Sequence, residues 1–153
     1  MSEKIDQTDR RILRALQIDS SRSQRELAED VGLSQNALWR RLKNLESQGV
    51  IHGYGARVDP VAVGMGLVTF SMIRTRHHSA DWLKALRQVL IATPEVVGFY
   101  RISGDYDYML KIATEDIAAF DRVYQHITAR IELDTVTSYF AMESIIDDRP
   151  LPL

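Results

Sequence analysis

Apolar residues in the first fifty positions recur at helical spacing in three short runs, each opened by a residue able to cap it. Ile12, Leu13 and Leu16 fall on one face behind Asp6, whose carboxylate can accept from the free amides of a first turn, and Asp9 suits the positive end of that helix. Ser23-Gln24-Arg25-Glu26 is a capping box before Leu27, Ala28 and Val31, and Gly32 closes this second helix where a left-handed backbone is needed. Ser34 caps a third helix running to Gly49, in which Leu38, Leu42 and Leu45 keep the spacing of a buried stripe. The Gly32-Leu33-Ser34 link is as short as a helix-turn-helix requires. Val50 to Val58 then reads as a small hairpin, a wing, ended by Asp59-Pro60.

Beyond Gly64 and Gly66 the pattern changes period. Strand signals over Leu67 to Thr75, Val96 to Ile102, Tyr108 to Ala113 and Val136 to Ile146 alternate with two helical patterns. One helix is capped by Ser79 and turns Trp82, Leu83, Leu86 and Leu90 inward; the other carries Ile117, Phe120, Tyr124, Ile127 and Ile131 on one face. The order βαββαβ predicts a ferredoxin-like antiparallel sheet with both helices on one side. The expected fold class is α+β, with a winged helix-turn-helix over residues 1–60 and the ferredoxin-like domain over 61–153. The sheet's second face needs a cover, most simply a second copy, so a dimer is expected.

Charge sharpens this division only slightly. Residues 1–58 hold ten Lys/Arg against eight Asp/Glu, whereas the remainder holds nine against thirteen, so a mildly basic head sits on an acidic body. With no cysteine, disulfides, a thiolate nucleophile and Cys-type zinc sites are excluded. No apolar run suits a membrane span, and Met1-Ser2-Glu3-Lys4 lacks the marks of a signal peptide, so a cytoplasmic location is expected.

The chemistry concentrates on the third helix. A rotation of about 100° per residue places Asn36, Trp39, Arg40 and Lys43 opposite the leucine stripe, with Gln35 at the N-terminal rim. Basic groups can neutralise phosphates or donate to guanine, an Asn amide can pair with adenine, and a Trp can pack on sugar or a thymine methyl. No acid occurs between Ser34 and Leu45. Ser34, Gln35, Asn36, Trp39, Arg40, Arg41 and Lys43 are therefore the expected DNA-binding set, and double-stranded DNA the expected partner. The same face could instead serve protein contacts alone, as a winged-helix interaction module.

Taken in order, Ile5-Asp6-x-x-Asp9, Glu26-Leu27-Ala28, Val31-Gly32-Leu33-Ser34, Arg41-Leu42-x-x-Leu45-Glu46, Gly49-Val50-Ile51, Asp59-Pro60, Pro94-Glu95-Val96 and Gly104-x-x-Asp107-Tyr108 span nearly the whole chain. Together they resemble the leucine-responsive and AsnC-type (feast/famine) transcription regulators. The resemblance implies an amino-acid effector bound between dimers, and assembly as dimers and as octamers, tetramers of dimers. His77-His78-Ser79, Gly104 to Tyr108 and Phe140-Ala141-Met142-Glu143 are similar to the branch that responds to cysteine. The chain departs from the family in lacking Pro-Gly before its last strand, at Arg130 to Asp134, and in carrying Ile146 where a Lys often follows.

In this light Gly104, Asp105, Tyr106, Asp107 and Tyr108 form an expected effector clamp. The turn can offer backbone amides to an α-carboxylate while Asp107 accepts from the α-ammonium group. Thr137 and Ser138 are expected to face the same pocket. The plainer reading is a hairpin turn whose Gly and Asp satisfy local geometry. Asp105-x-Asp107 with His77 and His78 could alternatively hold a divalent cation, but adjacent histidines on an extended chain diverge. No Gly-rich phosphate loop, nucleophile elbow or H-E-x-x-H motif occurs, so no catalytic residue, metal ligand or cofactor is expected.

Overall fold

The computed structural model describes residues 5–153; the Met1 to Lys4 segment read above for a signal peptide lies outside them. The chain divides into two compact units. One reaches to Arg57 and takes back Ile146–Leu153, and the other is Val58–Ile145. The expected boundary near residue 60 thus has a counterpart at Arg57, but the last eight residues fall with the helical unit and not with the sheet.

In the helical unit, α1 (Gln7–Ile18), α2 (Gln24–Val31) and α3 (Gln35–Ser47) follow the capping signals. Asp6 and Asp9 form a reciprocal capping box, as do Ser23 and Glu26, so two orphan amides are satisfied at each helix start. Gly32 ends α2 at φ +69°, and its amide returns to Ala28 and Glu29 carbonyls. Ile12, Leu27, Val31, Leu38, Leu42 and Leu45 make the core beneath the three helices.

The expected wing hairpin is not formed: residues 51–59 contain no strand. Val50 and Ile51 donate their amides to the Leu45 carbonyl, and side chains tie down the rest, with Arg57 Nη2 donating to Gln17 O and Tyr54 to Glu46. Alternation around Gly53 and Gly55 gives a strand-like pattern, but within this segment no second strand pairs with it. The chain's last residues dock on α1 in the same unit. Leu151 N donates to Gln17 Oε1 at 2.7 Å, Gln17 Nε2 donates back to the Leu151 carbonyl, and Arg14 Nε donates to the Leu153 carbonyl. A groove of about 850 Å³ there is lined by Leu13, Leu16, Val50, Ile51, Leu151 and Leu153, among others.

The second unit runs β1 (Leu67–Arg74), α4 (Ala80–Ile91), β2 (Val96–Arg101), β3 (Tyr108–Thr114), α5 (Ile117–Thr128) and β4 (Thr135–Phe140). The sheet order β2-β3-β1-β4, antiparallel throughout, is that of the expected ferredoxin-like domain. Ile73, Tyr108, Leu110 and Ile112 of the sheet pack with Leu86, Leu90, Phe120, Val123 and Ile127 of the helices. On α5 the buried stripe is Phe120, Val123 and Ile127, while Ile117 and Tyr124, expected inward, are exposed. β4 stops at Phe140, short of the expected Ile146, because its pairing with β1 ends at Thr69↔Phe140 and leaves the following residues without a ladder.

Among the described residues no helix is long and apolar enough to cross a membrane.

Candidate functional site

The recognition face of α3 is set by how the leucines anchor the helix. With Leu38, Leu42 and Leu45 buried, Gln35, Asn36, Trp39, Arg40 and Lys43 are turned to solvent. Trp39 is 52% exposed, an expensive placement for the largest apolar side chain and one suited to a contact surface. Ser34 Oγ accepts from the Ala37 amide at 3.2 Å, which commits its oxygen to the cap.

The three basic residues of α3 differ in what they touch. Arg40 makes no ion pair among the described residues. Arg41 turns back toward α1, where Nη1 donates to Asp6 Oδ2 and Asp9 Oδ1, each at 2.8 Å. These two hydrogen bonds, Asp6 first, raise the Arg41 guanidinium pKa, and Asp6 is lowered by the Asp9 amide and then by Arg41. Lys43 Nζ donates to Glu46 Oε2 at 2.7 Å, and Tyr54 Oη donates to the other carboxylate oxygen at 3.0 Å. Glu46 is held below the usual carboxylate range by Lys43 and then Tyr54; Tyr54 is pushed up by burial and by Glu46. This Lys43–Glu46–Tyr54 chain was not read from sequence, because its last link depends on how the segment after Gly49 folds back.

At the sheet end, Gly104 sits at φ +120°, a backbone region that L side chains rarely adopt, with open space where a Cβ would project. Asp105 is exposed, and its carbonyl accepts from Arg74 Nε at 2.7 Å. The Arg74 guanidinium lies 5.2 Å above the Tyr106 ring, whose hydroxyl donates to Thr137 Oγ1 at 3.1 Å. Asp107 is half-buried and heavily engaged: its amide donates to Ile73 O, its carbonyl accepts from Ile102 N, and Oδ2 accepts from Thr75 N at 2.8 Å.

Two residues of the expected effector site, Tyr108 and Ser138, point elsewhere. Tyr108 is buried in the core, its ring 6.1 Å from Trp82 and 5.6 Å from Phe99. Successive residues of a strand face opposite sides, so Ser138 points toward the helices and bonds Ser71 at 2.8 Å, while Thr137 points to the uncovered face with Tyr106. The expectation that Thr137 and Ser138 share a pocket is therefore corrected. His77 stands 3.7 Å from Glu132 and stacks on Trp82.

A three-helix unit presenting a recognition helix, joined in one chain to a ferredoxin-like unit with a glycine turn at its sheet end, is the architecture of a DNA-binding regulator. Comparisons with known proteins agree in both halves. Residues 5–52 match the winged helix-turn-helix DNA-binding model, and residues 68–151 match the Lrp/AsnC ligand binding domain. The chain is 41% identical over 153 residues to a glutamate uptake regulatory protein of Zymomonas mobilis, covering all of this chain and 93% of that one. An AsnC family transcriptional regulator from Agrobacterium tumefaciens superposes with a TM-score of 0.91 at 47% identity, covering 96% of each chain. A transcriptional regulator of Neisseria meningitidis in complex with L-Met does so with a TM-score of 0.89 at 30% identity, covering 97% of each. The chain belongs to the Lrp/AsnC family of transcription regulators.

Proposed function

We propose that this regulator reads double-stranded DNA with the α3 face of Gln35, Asn36, Trp39 and Arg40, supported by Lys43, and that a small amino acid bound at the Gly104 turn modulates that binding. The single observation that carries the first half is the solvent-facing Asn36, Trp39 and Arg40 opposite a fully anchored leucine stripe. In this reading Ser34 caps the helix and Arg41 holds it, so neither supplies the main base contacts. The second half is supported by the ligand-binding family match and by a solved relative in complex with L-Met. Cysteine is the first effector to try.

Assembly completes the reading. The sheet face away from the helices presents Phe70, Met72, Met109 and Tyr139, with Tyr139 56% exposed. A second copy covering this face makes a dimer that carries two recognition helices, and dimers associate further into octamers. An effector that prefers one assembly shifts the equilibrium toward it, with coupling of about 1–3 kcal/mol. The protein acts on cytoplasmic DNA.

The test selects bound fragments from genomic DNA and follows binding by fluorescence anisotropy across a salt series, with calorimetry on a panel of amino acids. Sequence-selective, salt-dependent binding that one amino acid alters supports the reading. Binding with no sequence preference and no amino-acid response refutes it.

A further inference from the structure

We propose that Arg74 is the carboxylate-binding residue of the effector site, so that the site selects α-amino acids over their uncharged-acid derivatives. The inference rests on the effector reading above and adds a residue to it. Arg74 is the last residue of β1, and pairing with Thr135 puts its side chain on the uncovered face of the sheet, in line with Phe70 and Met72. The turn holds it in two ways: Nε donates to the Asp105 carbonyl at 2.7 Å, and the guanidinium lies over the Tyr106 ring at 5.2 Å. A long, flexible cation is thereby fixed before any ligand arrives, which lowers the ordering cost of binding.

Among the described residues no carboxylate lies within ion-pairing distance of Arg74, and no protein acceptor takes its two terminal nitrogens. Those nitrogens form the fork that matches a carboxylate in two parallel bonds. The alternative donors are partly spent, since the Asp107 amide already donates to Ile73 O. Across the same turn, Asp107 keeps one carboxylate oxygen beyond the bond from Thr75 N, an acceptor for an ammonium group. A cation on one side and an anion on the other complement a zwitterion.

Calorimetry on the full-length protein tests this with two matched pairs of probes, methionine with methioninamide and cysteine with cysteinamide. The amides keep the ammonium group and lose the carboxylate. Arg74→Gln is expected to weaken the amino acid on the order of ten- to a hundred-fold while leaving its amide unchanged, and Arg74→Lys to fall between. Sedimentation and circular dichroism verify that each variant keeps the wild-type assembly and fold. Equal binding of the amino acid by wild type and Arg74→Gln overturns the assignment alone, as does equal weakening of acid and amide, which marks Arg74 as a prop for the turn. Failure of wild type to bind any amino acid in the panel overturns the effector reading, and this inference with it.

Discussion

Asp9 and Arg41 are 32 positions apart in sequence, yet the Arg41 guanidinium donates to the Asp9 carboxylate at 2.8 Å. The contact ties the start of α1 to the middle of α3 and turns one of three basic residues on the recognition helix into a strut. Arg40, its neighbour, is exposed and makes no ion pair among the described residues.

The two arginines should therefore fail differently. Arg40→Ala is expected to weaken DNA binding by about 1–3 kcal/mol if it reads a base, or to reduce the salt slope by about one phosphate contact, without loss of stability. Arg41→Met should lower stability by about 1 kcal/mol, screened because the pair is partly exposed, and leave the salt slope unchanged. Urea titration and salt-titrated anisotropy separate them; a reduced salt slope in Arg41→Met would contradict the strut.

A pH dependence follows from Asp6 and Glu46, whose folded pKa values are both depressed. Each contributes stability that is present above the ordinary carboxylate value of about 4 and is lost as pH falls through the lower folded value. The urea midpoint of the helical unit should fall as pH drops from about 5 toward 3. Glu46→Gln should flatten part of that fall, and an unchanged pH profile in this variant would show that the Lys43 and Tyr54 contacts carry no linkage.

How much of this could be read from sequence depended on the range of the interaction. The caps at Asp6, Ser23 and Ser34 and the left-handed Gly32 were legible because each is settled within four residues. The βαββαβ order of elements was legible because alternation and helical period differ over whole elements. The hairpin expected over Val50 to Val58 is not formed, since alternation says nothing about whether a partner strand exists. The contacts of Arg41 to Asp6 and Asp9 are not legible in the sequence, because the spacing within α3 carries no information about α1 across the fold. Thr137 and Ser138, paired in the expected pocket through the family resemblance, are separated by the two-residue period of a strand.

The uncovered sheet face makes its own prediction. Met72→Lys, or Met109→Lys on the neighbouring strand, puts a charge where two sheets would meet. Either should shift sedimentation from dimer toward monomer while leaving the monomer folded, as the helix-side core is untouched. An unchanged dimer would place the interface elsewhere.

Gly104→Val tests whether the turn's backbone is needed. At φ +120° a β-branched residue is strained by about 1–3 kcal/mol, although no neighbour crowds the added Cβ. The variant should melt lower and lose amino-acid binding measured by calorimetry. Full amino-acid affinity in a folded Gly104→Val protein would remove the turn from the site.

In the proposed function one chain couples amino-acid binding to DNA recognition. Its most direct test is anisotropy of a selected DNA fragment titrated with the protein, with and without cysteine and then each other amino acid, for wild type and Asp107→Ala. At least one amino acid is expected to shift the wild-type DNA affinity by about five-fold or more, and Asp107→Ala to bind DNA equally well without responding. An unmoved wild-type affinity across the whole panel, or an undiminished response in Asp107→Ala, would contradict it.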